Sequence, residues 1–133
     1  MKAILADSGP LYAAFDPGDQ YHMRSQDEIQ QLNQQGFRVQ VAYSTLSEVY
    51  SLVMYRFSAA EALGFLSQLS QTIAFIPVQP EDYQAAIELL RRYPDQKISL
   101  FDAVLCNVSQ CLRFPVWTYD YHFDVMQGQV WRN

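Results

Sequence analysis

Short apolar runs separated by longer amphipathic stretches organise this chain. Lys2-Ala3-Ile4-Leu5-Ala6 reads as a buried strand, and so do residues 38–42, 72–78 and 115–119. Between them, apolar residues recur at three- and four-residue spacing, the period of a helix with one buried face. A first helical region starts at Ser8, breaks around Pro17-Gly18, and resumes from Asp19 to about Gln35, with Gly36 as its stop. Helices at 45–57 and 59–70 follow, the second opened by Ser58-Ala59-Ala60-Glu61, a capping-box pattern. Pro80 with Glu81 and Asp82 opens another helix that runs to about Tyr93 and ends at Pro94. Ser99 opens a last long helix over residues 100–112, and Val130-Trp131 reads as a short edge strand. Strands alternating with helices predict an α/β fold: a three-layer α/β/α sandwich around a central, mostly parallel sheet.

Four carboxylates fall at the ends of these elements. Asp7 follows the first strand, Asp120 follows the last, Glu48 lies one turn into the helix after residues 38–42, and Asp102 lies in the first turn after Ser99. In open parallel sheets, ligands bind outside the carboxyl ends of the strands, so positions distant in sequence converge there. Each acid also has a plain structural reading. Asp7 suits a helix cap or turn before Ser8-Gly9-Pro10, Glu48 completes a capping box led by Thr45, Asp102 completes one led by Ser99, and Asp120 suits a turn. Taken together the four point to a metal site, because four independent structural acids have no reason to share one edge of a sheet.

Composition narrows the class. With 133 residues, half of them apolar and 17% charged, the chain is expected to form a single domain, 1–133, with one core of ordinary size. The net charge of −5 argues against broad electrostatic binding to nucleic acid, though not against nucleic acid as substrate at a metal site. Cys106 and Cys111 stand five apart on a predicted helix, roughly 140° around its axis, so no bridge is expected between them. With no Cys/His cluster, zinc is not expected; no window has the length of a membrane span, and the N-terminus is unlike a signal peptide. A reduced, cytoplasmic setting without a membrane fits best.

The acid-bearing segments carry a family resemblance. Ile4-Leu5-Ala6-Asp7-Ser8-Gly9-Pro10-Leu11 resembles the opening of PIN-domain nucleases. Leu46-Ser47-Glu48-Val49, Ser99-Leu100-Phe101-Asp102-Ala103 and Thr118-Tyr119-Asp120-Tyr121-His122-Phe123 resemble the family's later motifs, in the family's order. The likeness covers nearly the whole chain, whose length is similar to that of a VapC-like toxin. It implies a doubly wound sheet with a central acidic pocket, bound Mg²⁺ or Mn²⁺, cleavage of RNA, and inhibition by a small antitoxin protein. On this reading Asp7, Asp102 and Asp120 hold the metal directly or through water, and Glu48 is a ligand or orients the attacking water. Mg²⁺ takes oxygen ligands, and such ions activate water for in-line hydrolysis of a phosphodiester without a Ser, His or Cys nucleophile. A stand-alone RNA-processing nuclease, an inactive PIN-like scaffold and a receiver-like domain are the competing readings.

Secondary candidates surround the four acids. Asp95 and Asp124 suit solvated loop acids, His22 a polar helix face, and His122 the fixing of a loop; Ser8 and Thr118 suit hydrogen bonds to the acids or to water on the metal. Arg56, Arg91, Arg92 and Lys97 are the candidates for RNA contact. The apolar positions Leu46, Val49, Tyr50, Leu52, Val53 and Tyr55, with Leu63, Phe65 and Leu66, are too rich for one buried stripe, which predicts a homodimer or antitoxin surface.

Overall fold

A computed structural model describes residues 2–132. Four parallel strands form one sheet in the order β3-β2-β1-β4, with β1 at Lys2–Ala6, β2 at Phe37–Ala42, β3 at Ala74–Ile76 and β4 at Val116–Trp117. Ile4 stands beside Val39, Leu5 beside Val116, and Val41 beside Phe75. Side chains alternate between the two faces of a strand. Ile4, Ala6, Val41 and Trp117 accordingly enter one core and Leu5, Ala42 and Val116 the other.

The first core is covered by α1 (Ser8–Phe15), α2 (His22–Gln34), α3 (Tyr43–Arg56) and α4 (Ala59–Thr72), through Leu11, Leu32, Val49, Val53 and Phe65. The second is covered by α5 (Pro80–Arg91), α6 (Leu100–Leu112) and the short α7 (His122–Val125), through Leu89, Val104, Leu105 and Phe123. The expected three-layer sandwich is present.

Several boundaries move for local reasons. The second helix resumes at His22 rather than Asp19, because the Asp16 carboxylate accepts from Gly18 N and the Asp19 carboxylate from Tyr21 N, holding residues 16–21 in turns. Gly36 does sit in the left-handed region, at φ 80°. The third strand is shorter than expected because α4 continues to Thr72, and α5 ends at Arg91. Val130 makes one isolated bridge to Val116, and Trp131 N donates to Val116 O.

The Thr45–Glu48 capping box does not form. The helix begins at Tyr43, directly after the strand, with Ala42 as its cap and no side-chain capping bond. Ser44 and Thr45 are instead buried inside its first turn. The box at Ser58 does form, with Glu61 N donating to Ser58 Oγ, as does the Ser99 cap on Asp102 N.

Candidate active site

The carboxyl ends of β1 and β4, the first turn of α6 and the second turn of α3 meet at one cleft of about 450 Å³. Asp7, Glu48, Asp102 and Asp120 all line it, with Ser8, Lys97, Tyr121 and His122. Asp7 is 5% exposed and caps α1; its Oδ1 accepts from Ser8 N at 2.8 Å and its Oδ2 from Thr118 Oγ1 at 2.8 Å. Thr118 Oγ1 in turn accepts from Asp120 N at 3.0 Å, so one hydroxyl ties the ends of two strands together. Asp102 is both the third residue of α6, receiving the Ser99 cap on its backbone, and a wall of the cleft. The capping and functional readings of Asp102 are therefore compatible: the backbone amide is capped while the side chain faces the cleft.

Glu48 reaches the cleft with Oε1 buried and without a hydrogen-bond partner. A buried acceptor without a donor carries a desolvation cost of roughly 1–3 kcal/mol, which a cation would remove. The titration of the group has the same cause. Burial pushes the Glu48 carboxyl up to about 7, with Asp7 and Asp120 adding repulsion and the Ser8 hydroxyl opposing. Burial also raises Asp7, against the hydrogen bonds from Thr118 and Ser8. Burial raises Asp102 well above the carboxylate range, and its hydrogen bond with Asp120 and the charges of Asp7, Asp120 and Glu48 reinforce it. Asp120 moves the other way: burial opposes ionisation, but hydrogen bonds from Asp102 and from His122 outweigh it. Within the pair, Asp102 is thus pushed towards the protonated form and Asp120 towards the ionised one. Ligand atoms of Asp102, Asp120 and His122 lie within 4.8 Å of one another. A buried set of oxygen donors that must retain protons to coexist suits a hard divalent cation such as Mg²⁺ or Mn²⁺.

His122 fixes the loop, as its position suggested. Its backbone N donates to Asp120 Oδ1 at 2.9 Å and its Nδ1 lies 3.2 Å from the same oxygen. His22 is turned away, its Nδ1 2.7 Å from the Ala13 carbonyl oxygen. Asp95 does not line the cleft, and Asp124 pairs with Arg132 at 2.6 Å. Of the cations considered for RNA contact, Lys97 lines the cleft, Arg56 lies over the Tyr12 ring at 4.6 Å, Arg91 pairs with Glu88 at 3.1 Å, and Arg92 is exposed. A larger hollow of about 520 Å³ between α1, α2 and α4 is lined by Leu11, Ile29, Phe65 and Trp117 among others and contains no acid.

One supporting residue escaped the sequence reading. Glu28 on α2 is 2% exposed and accepts from Trp117 Nε1 at 3.0 Å, Tyr119 OH at 2.6 Å and Arg24 Nε at 3.3 Å. These bonds grip the residues on either side of Thr118. Its signal was the stripe Ser25, Glu28, Leu32, at helical spacing, which puts an acid on the buried face of α2.

Comparison with known proteins agrees with this geometry. Residues 4–129 match the family model of the PIN domain. No curated protein sequence matches the chain. Among solved structures, the chain is similar to Mycobacterium tuberculosis VapC20, described as a sarcin-ricin loop cleaving toxin, with a TM-score of 0.83 and 20% identity over 98% of this chain and 99% of that one. It is also similar to VapBC2 from Rickettsia felis, solved with a fragment of its promoter DNA, with a TM-score of 0.76 and 10% identity over 98% of each chain. FitAcB from Neisseria gonorrhoeae follows with a TM-score of 0.73 and 15% identity over 97% of this chain and 96% of that one. At these identities the structures speak for the fold, and the family match extends over nearly the whole sequence: the chain belongs to the PIN-domain family.

Proposed function

We propose that this chain is a single-domain endoribonuclease that depends on Mg²⁺ or Mn²⁺ and acts as the toxin of a toxin–antitoxin pair. The observation that carries the proposal is the gathering of Asp7, Glu48, Asp102 and Asp120 from four elements into one cleft, with Glu48 Oε1 lacking a donor. Asp7, Asp102 and Asp120 would hold the metal, directly or through water, and Glu48 would complete the set or orient the attacking water. A divalent ion held there supplies a Lewis acid that lowers the pKa of water and offsets charge on the phosphodiester. The chain's own residues do the rest. Thr118 and Ser8 aim the Asp7 oxygens, His122 steadies Asp120, and Lys97 offers a cation to the substrate phosphate at the rim.

The toxin role is supported by fold neighbours described as a sarcin-ricin loop cleaving toxin and as a member of the VapBC family of toxin-antitoxin systems. No helix among the described residues is long and apolar enough to cross a membrane. A cytoplasmic ribonuclease held in check by an antitoxin is consistent with that. We also assign a homodimer. Val49, Val53 and Phe65 are spent on the core, yet Tyr55 and Leu63 remain 83% and 57% exposed on the same helix pair. A monomeric mass in light scattering at tens of micromolar would remove the dimer.

The experiment for the activity is cleavage of RNA by the parent, Asp7→Asn and Asp102→Asn proteins, with and without EDTA. Cleavage in the parent should need the divalent ion, and both variants should fall to the EDTA background while keeping the parent circular dichroism. Activity that survives EDTA, or survives both substitutions, would show that these acids do not carry the chemistry.

A further inference from the structure

Beside the acidic cleft lies a smaller hollow of about 160 Å³, and the two share Tyr119, Asp120 and Tyr121 as a common wall. The smaller hollow is also lined by Arg24 and Arg132. In a chain with nine Lys and Arg against fourteen acids, the two arginines of this hollow match its two acids, Asp120 and Asp124. Each has an acidic partner, Arg24 Nε at 3.3 Å from Glu28 and Arg132 Nη2 at 2.6 Å from Asp124. Each guanidinium has five N–H donors, so these contacts leave others unused. Their side chains remain 53% and 63% exposed.

The two tyrosines of the shared wall differ. The Tyr119 ring is already engaged: Tyr21 packs against it at 4.9 Å, the Arg24 guanidinium lies over it at 4.4 Å, and its hydroxyl is bound by Glu28. Tyr121 rests on His122 at 4.5 Å and is otherwise open, 65% exposed. Tyr55 is more exposed still, but it lines neither hollow.

We propose that Tyr121 is a stacking platform for an unpaired base next to the scissile phosphodiester, and that Arg24 and Arg132 hold the neighbouring backbone phosphate. This inference rests on the ribonuclease reading above. A tyrosine face accepts any base, but only a base free of its own helical stack can lie on it. The acidic cleft repels phosphate wherever no cation intervenes, so the unused donors of the two guanidiniums beside it give the backbone a place to rest.

Binding can be read in the Asp102→Asn protein, which should leave RNA uncut, by fluorescence anisotropy with a labelled single-stranded RNA oligonucleotide and with its duplex. The duplex should bind at least about tenfold more weakly. Adding Tyr121→Ala should weaken single-strand binding by about tenfold, whereas Tyr121→Phe, which keeps the ring, should stay within about twofold. Arg132→Gln should weaken binding and flatten the salt dependence by about 0.7 in the log–log slope. Single-strand affinity unchanged by Tyr121→Ala, or equal affinity for duplex, overturns the platform. If the parent cuts RNA while that happens, the ribonuclease reading stands alone. A parent that neither binds nor cuts RNA removes both.

Discussion

Two buried carboxylate environments lie on either side of Thr118, and they are opposite in kind. Glu28 is sealed under α2, yet three donors, Trp117 Nε1, Tyr119 OH and Arg24 Nε, converge on it. Asp102 is buried nearly as deeply, at 6% exposure, but its neighbours are Asp7, Glu48 and Asp120, and burial among them pushes its carboxyl up. Burial alone therefore does not mark a functional acid. What separates the two is the sign of the surroundings: a buried acid met by donors is satisfied within the fold, and a buried acid met by other acids carries a repulsion that a cation would relieve.

The contrast can be broken most forcefully at Glu28. Glu28→Ala leaves the indole and phenol donors without an acceptor, at about 1–3 kcal/mol each, while the half-exposed Arg24 guanidinium can turn to water. Urea denaturation should show that loss; a variant as stable as the parent would mean that Glu28 is not the anchor. A divalent ion should act on the other environment with the opposite sign. Mg²⁺ or Mn²⁺ at about 100 times its Kd should add about 2.7 kcal/mol, a rise of about 10 °C in Tm, and Asp102→Asn should abolish most of that rise. Equal stabilisation of parent and variant would place the ion elsewhere.

Thr118 joins the two environments and tests their coupling. Thr118→Val removes the donor to Asp7 and the acceptor for Asp120 N, and should reduce divalent-ion affinity by about 10- to 100-fold at a stability cost of about 1 kcal/mol. Unchanged ion affinity, measured by calorimetry, would leave Thr118 a purely structural residue.

The smallest expected effect is in pH. Glu48 releases its proton near 4.5 when unfolded but near 7 in the folded chain, so between these values the folded state binds more protons. Stability of the metal-free protein should then be fullest below about pH 4.5 on this group's account and fall by roughly 1–2 kcal/mol towards pH 7, after allowance for screening. Asp102 extends the same trend to more alkaline pH, and its replacement by Asn should remove that part. A metal-free stability that rises over this window would contradict the crowding of acids.

Much of this was legible in the chain because the relevant physics is local. Apolar runs of four or five residues specify strands, Ser58 and Ser99 specify helix starts, and the sheet's carboxyl edge follows from strand–helix alternation, so Asp7, Glu48, Asp102 and Asp120 could be placed together before any coordinate. The start of α3 was not legible, because Thr45 and Glu48 match a capping box whose competitor, burial of Ser44 and Thr45 against the sheet, is a tertiary event. The four-residue α7 was missed for the same reason; its only buried anchor, Phe123, enters a core built from α5 and α6.

Sequence by itself determined the elements, the edge of the sheet that bears the acids and the family, since these depend on spacing and residue type along one strand or one helix. The tertiary structure decided which acid is satisfied and which is not. Glu28 lies 89 residues from Trp117 and 91 from Tyr119, and the Asp102 carboxyl is pushed up only where the fold buries it beside Asp120, Asp7 and Glu48. Charge and hydrogen bonding act through space over a few ångströms, so the chemical state of a carboxylate belongs to its neighbours in the fold rather than to its neighbours in the chain.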